Sequence, residues 1–151
     1  MNKHIIGIDP GKSGGIATIS TIINDTNYMA LKTPNSTGAM VEIVRVIKKN
    51  PISPVCYIEN VHAFPTDARS SAFKFGVNYG KWQGILSSFG IDTILVSPMK
   101  WQKHFGKMPK EKRERKNKLK AIASKKTGIK ATLSTADAIL IALYGYAQEN
   151  V

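Results

Sequence analysis

An α/β fold, built on a mixed five-stranded sheet with helices on both faces, is what this 151-residue chain predicts. Three observations carry that reading. β-rich runs crowd the amino-terminal part, helical periods separate the later short apolar strands, and the carboxyl-terminal part is helical. No segment repeats and no linker-like stretch divides the chain. Residues 1–151 therefore read as a single domain, large enough for a real core.

Residues 3–9 read as a buried strand ending on Asp9. Gly11, Gly14 and Gly15 make a turn, and the run Ile16 to Ile23 returns as a second strand. Asn24-Asp25-Thr26-Asn27 has turn chemistry, and Tyr28 to Thr33 reads as a third strand, completing a meander. Thr37 to Lys48 has helical spacing, and Pro51 and Pro54 stop it. Val55 to Glu59 is a short apolar strand, followed by a loop containing Pro65. Residues 69–90 predict a long helix on which Ala72, Gly76, Gly80, Gly84 and Ser88 recur at every fourth position. Each interior glycine costs roughly 1 kcal/mol of helix stability relative to alanine. A ridge of small residues lets another backbone approach closely. That backbone is either this domain's own sheet, or a second subunit or DNA. Ile91 to Ser97 is a further strand, and Pro98 to Phe105 a short helix with proline in its first turn. Lys107 to Lys130 is strongly basic, with a solvated helix at Lys110 to Lys120, and Thr132 to Glu149 is the final helix.

The chain carries 22 Lys and Arg against 10 Asp and Glu, a net charge of +12, and a pI near 9.9. Such an excess speaks to partners rather than to fold. Nucleic acid leads, because neutralising phosphates releases counterions. An anionic membrane surface is the rival, but neither chain end shows a basic amphipathic helix with a strong Trp/Phe/Leu face. No apolar run is long enough to span a bilayer, so no membrane partner is expected. The single cysteine, Cys56, lies in an apolar strand and reads as a core residue of a protein from a reducing compartment. With no signal-peptide pattern at the start, a cytoplasmic protein is expected.

Three acids stand out against this basic background. Asp9 ends one apolar strand, Glu59 ends another, and Asp137 lies in the helix-like Ser134-Thr135-Ala136-Asp137-Ala138-Ile139-Leu140. An isolated charge in such surroundings is expensive to bury. Hard oxygen ligands from separate elements suit Mg²⁺, with Mn²⁺ as a substitute. Two-metal sites hold two such cations about 3.5–4 Å apart, one for the attacking water and one for the leaving oxygen. Singly, each acid has a plainer reading: Asp9 as a turn cap, Glu59 as a strand-end surface group, Asp137 as a helix cap. Together, at strand, strand and helix, they point to a metal pocket on a positive protein.

The same residues carry a resemblance. Ile6-Gly7-Ile8-Asp9-Pro10-Gly11 with Ser13-Gly14, then Tyr57-Ile58-Glu59-Asn60-Val61, then Ala136-Asp137-Ala138-Ile139-Leu140-Ile141-Ala142 resembles the RuvC family of Holliday junction resolvases, in order and through nearly the whole chain. Ser70 to Gly80 is similar to that family's helix after the second acid. His62-Ala63-Phe64-Pro65, Trp82 and Trp101 look closer to its phage and organellar branch, which would extend the expected setting to phage-encoded or organellar proteins. The resemblance implies an RNase H-like fold, a homodimer, and paired, metal-dependent nicking of four-way DNA junctions with two ions per active site.

On that resemblance Asp9, Glu59 and Asp137 match three of the family's catalytic, metal-binding acids. The fourth family position, an Asp or His, is Ser134 here. A neutral hydroxyl binds Mg²⁺ more weakly than a carboxylate. Ser134 is then a tolerated variant, or a substitution that impairs cutting, or its work falls to another acid such as Asp67. Lys112 matches roughly the place of a family lysine near the scissile phosphate, where it would stabilise developing charge, with Lys103 the weaker candidate. Lysines in so dense a run are otherwise solvated or contact the DNA backbone. The candidate DNA-binding residues are Phe64, Phe73, Lys74, Lys81, Lys103, Lys110, Arg113 and Lys116. Phe64 is the candidate wedge between bases at the junction centre, with Phe73 and Phe75 as alternatives and core packing as the plain reading. Nothing in the spacing of His62 or His104 requires a role as ligand or base.

Gly7-Ile8-Asp9-Pro10-Gly11 also resembles the first phosphate loop of actin-like ATPases. Those need two such domains, and the charge has no place there. Another RNase H-like nuclease acting on RNA or other branched DNA is the nearer rival. A junction-binding protein with weak or no cleavage is the third reading, favoured by Ser134.

Overall fold

The computed structural model describes residues 2–149. Its strands are β1 (Lys3–Ile8), β2 (Gly15–Ile22), β3 (Asp25–Lys32), β4 (Val55–Glu59) and β5 (Asp92–Val96). Its helices are α1 (Thr37–Lys48), α2 (Arg69–Ser88), α3 (Pro98–His104), α4 (Lys112–Thr127) and α5 (Ala136–Gln148). The strands form one sheet in the order β3-β2-β1-β4-β5. β1, β2 and β3 run antiparallel, while β4 and β5 run parallel to β1. This is the mixed five-stranded sheet that the sequence predicts.

Strand parity divides the core in two. Successive side chains of a strand point to opposite faces. Ile6, Ile8, Cys56 and Ile58 pack with Met40, Val44 and Ile47 of α1 and with Trp82, Ile85 and Leu86 of α2. On the other face Ile5 and Tyr57 pack with α5, Trp101 of α3, and Leu119 and Ala123 of α4. Continuing the alternation past Ile8 and Ile58 puts Asp9 and Glu59 on the α5 side.

Gly7 fixes how close α5 comes. A Cβ there would lie 2.3 Å from the Ala138 carbonyl oxygen and 2.4 Å from the Ala142 nitrogen. One turn further along α5, a Cβ on Gly145 would lie 2.4 Å from the Tyr57 ring. Backbone therefore lies directly on backbone, and α5 carries Asp137 down onto the end of β1.

The elements depart from expectation in two instructive places. The first is the β2–β3 turn, which is Ile23-Asn24 rather than Asn24 to Asn27. Both residues have positive φ, 48° and 68°, as a two-residue primed hairpin turn demands. The paired hydroxyls of Thr21 and Thr26, 3.0 Å apart, keep the register running past the asparagines. The second is α5, which starts at Ala136 and not at Thr132. Thr135 Oγ1 accepts from the Thr132 N–H at 3.0 Å and lies 3.1 Å from the Thr132 hydroxyl. This local bonding holds 132–135 as a turn, a known competitor of helix at threonine.

The small-residue ridge of α2 does not pack on its own sheet. Trp82, Ile85 and Leu86 do. Gly76, Gly80 and Gly84 are exposed, and a Cβ on any of them would meet nothing within 4 Å.

Gly7→Ala should destabilise the protein by at least the roughly 1–3 kcal/mol of an overpacked core site. Gly38, whose Cβ would also meet open space in α1, is the control, and Gly38→Ala should gain about 0.4–1 kcal/mol. Thermal unfolding of both variants checks this. Equal midpoints for Gly7→Ala and the wild type would refute the close approach.

Candidate active site

Each acid reaches the site by a different local device. Asp9 follows the last residue of β1, and its backbone N–H donates to the Gly15 carbonyl at 3.0 Å. Its Oδ1 accepts from the Gly11 N–H at 3.0 Å. Gly14 closes the turn so tightly that a Cβ would sit 2.8 Å from the Asp9 carboxyl carbon. Asn78 of α2 donates to the Pro10 carbonyl at 2.7 Å, tying this turn to the second helix layer. Glu59 ends β4, and its Oε2 accepts from the Trp101 indole N–H at 2.6 Å. Asp137 lies in the first turn of α5 and is 5 % exposed. Its Oδ2 pairs with Lys116 of α4 at 2.5 Å, while its Oδ1 is buried with no hydrogen-bond partner among the described residues.

The electrostatics are those of crowded acids. Burial raises the Asp9 carboxyl above its ordinary range, against the Gly11 N–H, and Asp137 raises it further. Burial, and then the neighbouring Asp9, push Glu59 up to about 7, against the lowering effect of the Trp101 bond. Burial works against the Lys116 ammonium, but Asp137 above all, then Asp9 and Glu59, carry its pKa upward. The three acids thus feel one another through space. Among the described residues, no three acids, histidines or thiols close on one point as a cage for a single ion. Yet a carboxylate oxygen with no partner, beside two mutually repelling acids, is a donor set that a divalent cation would satisfy. Oxygen donors of this kind fit Mg²⁺ or Mn²⁺.

Of the three acids, Asp9 borders an open cleft of ≈ 390 Å³, together with Gly11, Ser13, Lys112, Lys116 and Leu133. Lys112, the lysine singled out by resemblance, borders it from the first turn of α4. Lys116, expected only as a DNA contact, is the lysine bonded to an acid. Leu133, 57 % exposed, borders the cleft where Ser134 was expected. Ser134 itself belongs to the turn that leads into α5, closed by the Ala136 N–H donating to the Thr132 carbonyl at 2.9 Å. Asp67 does not join the acids: its Oδ2 accepts from the Phe64 N–H at 2.8 Å and closes the loop after β4.

A second cleft of ≈ 450 Å³, bordered by Lys12, Phe64 and Lys74 among others, lies beside that loop. A third, bordered by Lys12, Phe73, Lys74 and Lys81, continues along α2. Phe64 and Phe73 are 67 % and 74 % exposed, so neither is a core residue. Phe75 instead stacks on Tyr79. Lys103, Lys110 and Arg113 are exposed on α3, the loop ahead of α4, and α4. His104 packs edge-on against Phe105 and Tyr144. Lys12, Asn78, Leu133 and the Trp101 bond escaped sequence reasoning. Only Lys12 gave a signal there, as a cation three residues after Asp9.

No family model matches the chain, and no curated protein does. Solved structures do. Thermus thermophilus RuvC in complex with a Holliday junction substrate is similar over 99 % of this chain and 97 % of its own, with a TM-score of 0.65 at 18 % identity. A second Thermus thermophilus RuvC structure covers 97 % and 96 %, with a TM-score of 0.60 at 20 % identity. The chain has the RNase H-like fold of RuvC.

Glu59→Gln tests the burial of charge. A carboxyl whose folded pKa is raised holds its proton in the folded state where the unfolded chain has lost it. Between its ordinary value near 4.5 and about 7, that group therefore erodes stability as pH rises. In metal-free protein, Glu59→Gln should gain on the order of 1–3 kcal/mol at pH 8, and nothing below about pH 4.5. Unfolding midpoints across pH check it; a pH-independent difference would contradict the shift.

Proposed function

We propose that this protein is a homodimeric, metal-dependent nuclease of the RuvC type that resolves four-way DNA junctions by paired, symmetric nicks. One observation carries the reading: Asp9 and Glu59, at the same end of β1 and β4, are coupled through space to each other and to Asp137 of α5, in the fold of RuvC, on a chain of net charge +12. Asp9, Glu59 and Asp137, each coupled to the other two, would hold Mg²⁺, with Asp9 between them as the proposed shared ligand. Mg²⁺ held there would supply Lewis acidity for hydrolysis of the phosphodiester. Lys116 and Lys112, both bordering the acid cleft, would face the scissile phosphate and stabilise its developing charge. Lys74, Lys81, Lys103, Lys110 and Arg113 would contact the DNA backbone. Phe64 or Phe73, both exposed beside basic clefts, would enter the opened junction. The phage and organellar branch is supported only by the segments that resemble it.

The dimer reading rests on α2. Its glycine ridge faces away from the domain, and exposed Phe73 and Val77 lie on the same helix. Edge strand β5 adds exposed Leu95, which lies on the α2 side of the sheet with Ile58. A second copy of this helix would bury that surface.

A second reading has its own observation. Lys116 is paired with Asp137, and Ser134 supplies no fourth charge, so the site could favour junction binding with little cleavage.

Cleavage of a labelled four-way junction and its linear duplex, in Mg²⁺, Mn²⁺ or EDTA, separates the readings. Symmetric metal-dependent nicks confined to the junction are expected; tight binding without nicks would establish the binding protein. Asp9→Asn should slow cutting by about 10³-fold or more, the scale of several kcal/mol of lost metal stabilisation, while junction affinity holds or rises. Lost affinity in a folded Asp9→Asn variant would count against the site. Because a side chain at Gly80 meets nothing within the domain, Gly80→Leu should fold and sediment as a monomer. A dimer as stable as the wild type would place the interface elsewhere.

A further inference from the structure

Glu59 has a partner that metal chemistry alone does not require. Trp101 is fully buried and donates its indole N–H to Glu59 Oε2 at 2.6 Å. It is the single buried residue of α3. That helix is set by Pro98 in its first turn and by the Ser97 hydroxyl, which accepts from the Lys100 N–H at 3.3 Å. The indole packs in the core cluster that holds α5 and Leu119 and Ala123 of α4. Both the ring and its donor are therefore held from several elements at once.

Packing alone does not explain the bond. The chain has two tryptophans, and both are fully buried. Trp82 Nε1 has no hydrogen-bond partner among the described residues, so burial in this fold does not by itself bring an indole a partner. Trp101 is aimed at the acid. An indole N–H donates and cannot accept. It steadies a carboxylate without cancelling its charge, whereas a lysine in its place would compete with a cation. With Oε2 held, Oε1 is the oxygen left without a hydrogen bond to the indole.

We propose that Trp101 is a positioning residue: its indole N–H fixes the Glu59 carboxylate and leaves Oε1 to meet a divalent cation beside Asp9. This rests on the metal reading above and adds a residue that acts through a ligand rather than on the DNA. Partners of metal ligands of this kind typically contribute 10–100-fold in metal affinity.

The test is binding of Mg²⁺ alone, without DNA, followed by calorimetry and by the rise in unfolding midpoint with Mg²⁺. Trp101→Phe keeps most of the ring volume and removes the donor. It should bind Mg²⁺ about 10–100-fold more weakly and keep junction affinity in EDTA. A merely structural tryptophan would lower the metal-free midpoint and leave Mg²⁺ affinity unchanged, and that result would overturn the proposal. Should Trp101→Phe fail to fold, Mg²⁺ titration of tryptophan emission decides. The wild type should show a saturable change that Glu59→Gln abolishes, and saturable Mg²⁺ binding with no emission change would overturn the proposal. No saturable Mg²⁺ binding by the wild type would overturn the metal reading itself, and this inference with it.

Discussion

The contact on which the site depends is an uncharged one, backbone against backbone, right beside the charges it positions. At Gly7 the central strand has no side chain, and the backbone of α5 fills the space, with the Ala138 carbonyl and the Ala142 nitrogen where a Cβ would stand. Asp137 immediately precedes Ala138. Its position relative to Asp9, two residues beyond Gly7, is thus set by backbone on backbone rather than by long flexible side chains. Sites held in this way are positioned more tightly than sites on loops. β4 completes the frame, since its parallel register opposite β1 pairs Ile8 with Ile58 and so brings the next residues of both strands, Asp9 and Glu59, to the same end of the sheet.

Crowding three carboxylates at that point is unfavourable in isolation. The chain offsets the cost locally rather than by its overall positive charge, because exposed lysines at a distance are screened by water and salt. Gly11 N–H serves Asp9, Trp101 serves Glu59, and Lys116 serves Asp137. Only the last of these carries a full charge. Three carboxylates against one ammonium leave an excess of negative charge when all are ionised, and it adds to burial, the larger cause, in raising the pKa values of Asp9 and Glu59. Such an excess favours the uptake of either protons or a divalent cation. Lys116 is both a counter-charge and a competitor there: a cation taken up by Asp137 would loosen its ion pair and free an ammonium on the rim of the cleft.

The fold was legible because its signals were local and strong: short apolar strands, proline stops, and a meander closed by glycines. The three acids were legible for a related reason, since a charge at the end of an apolar strand or inside an apolar helix is rare enough to notice. What escaped depended on contacts between distant elements. Trp101 and Glu59 lie 42 positions apart, and Asn78 reaches Pro10 across 68. Spacing along the chain holds no trace of either. Lys116 was seen as one basic residue among many because neighbours in a lysine-rich helix differ only in which way they face. The β2–β3 turn was misplaced by composition: asparagine and aspartate have turn chemistry, but the paired threonines bound the strands beyond them.

Ser134 shows how such a local error changes a chemical argument. Read as part of a continuous helix, positions 134 and 137 share a face, and replacing an acid at 134 removes a ligand directly. The Thr132–Thr135 hydroxyl pair instead delays the helix to Ala136. The segment before it is a turn in which exposed Leu133 borders the cleft. The backbone at 134 is itself constrained, because its carbonyl would lie 2.7 Å from a Cβ on Gly15. A carboxylate restored at 134 would therefore be carried by this turn rather than by the regular helix. The missing charge and the turn that carries it belong to the same local choice of threonines, and Lys116 occupies Asp137 in this arrangement.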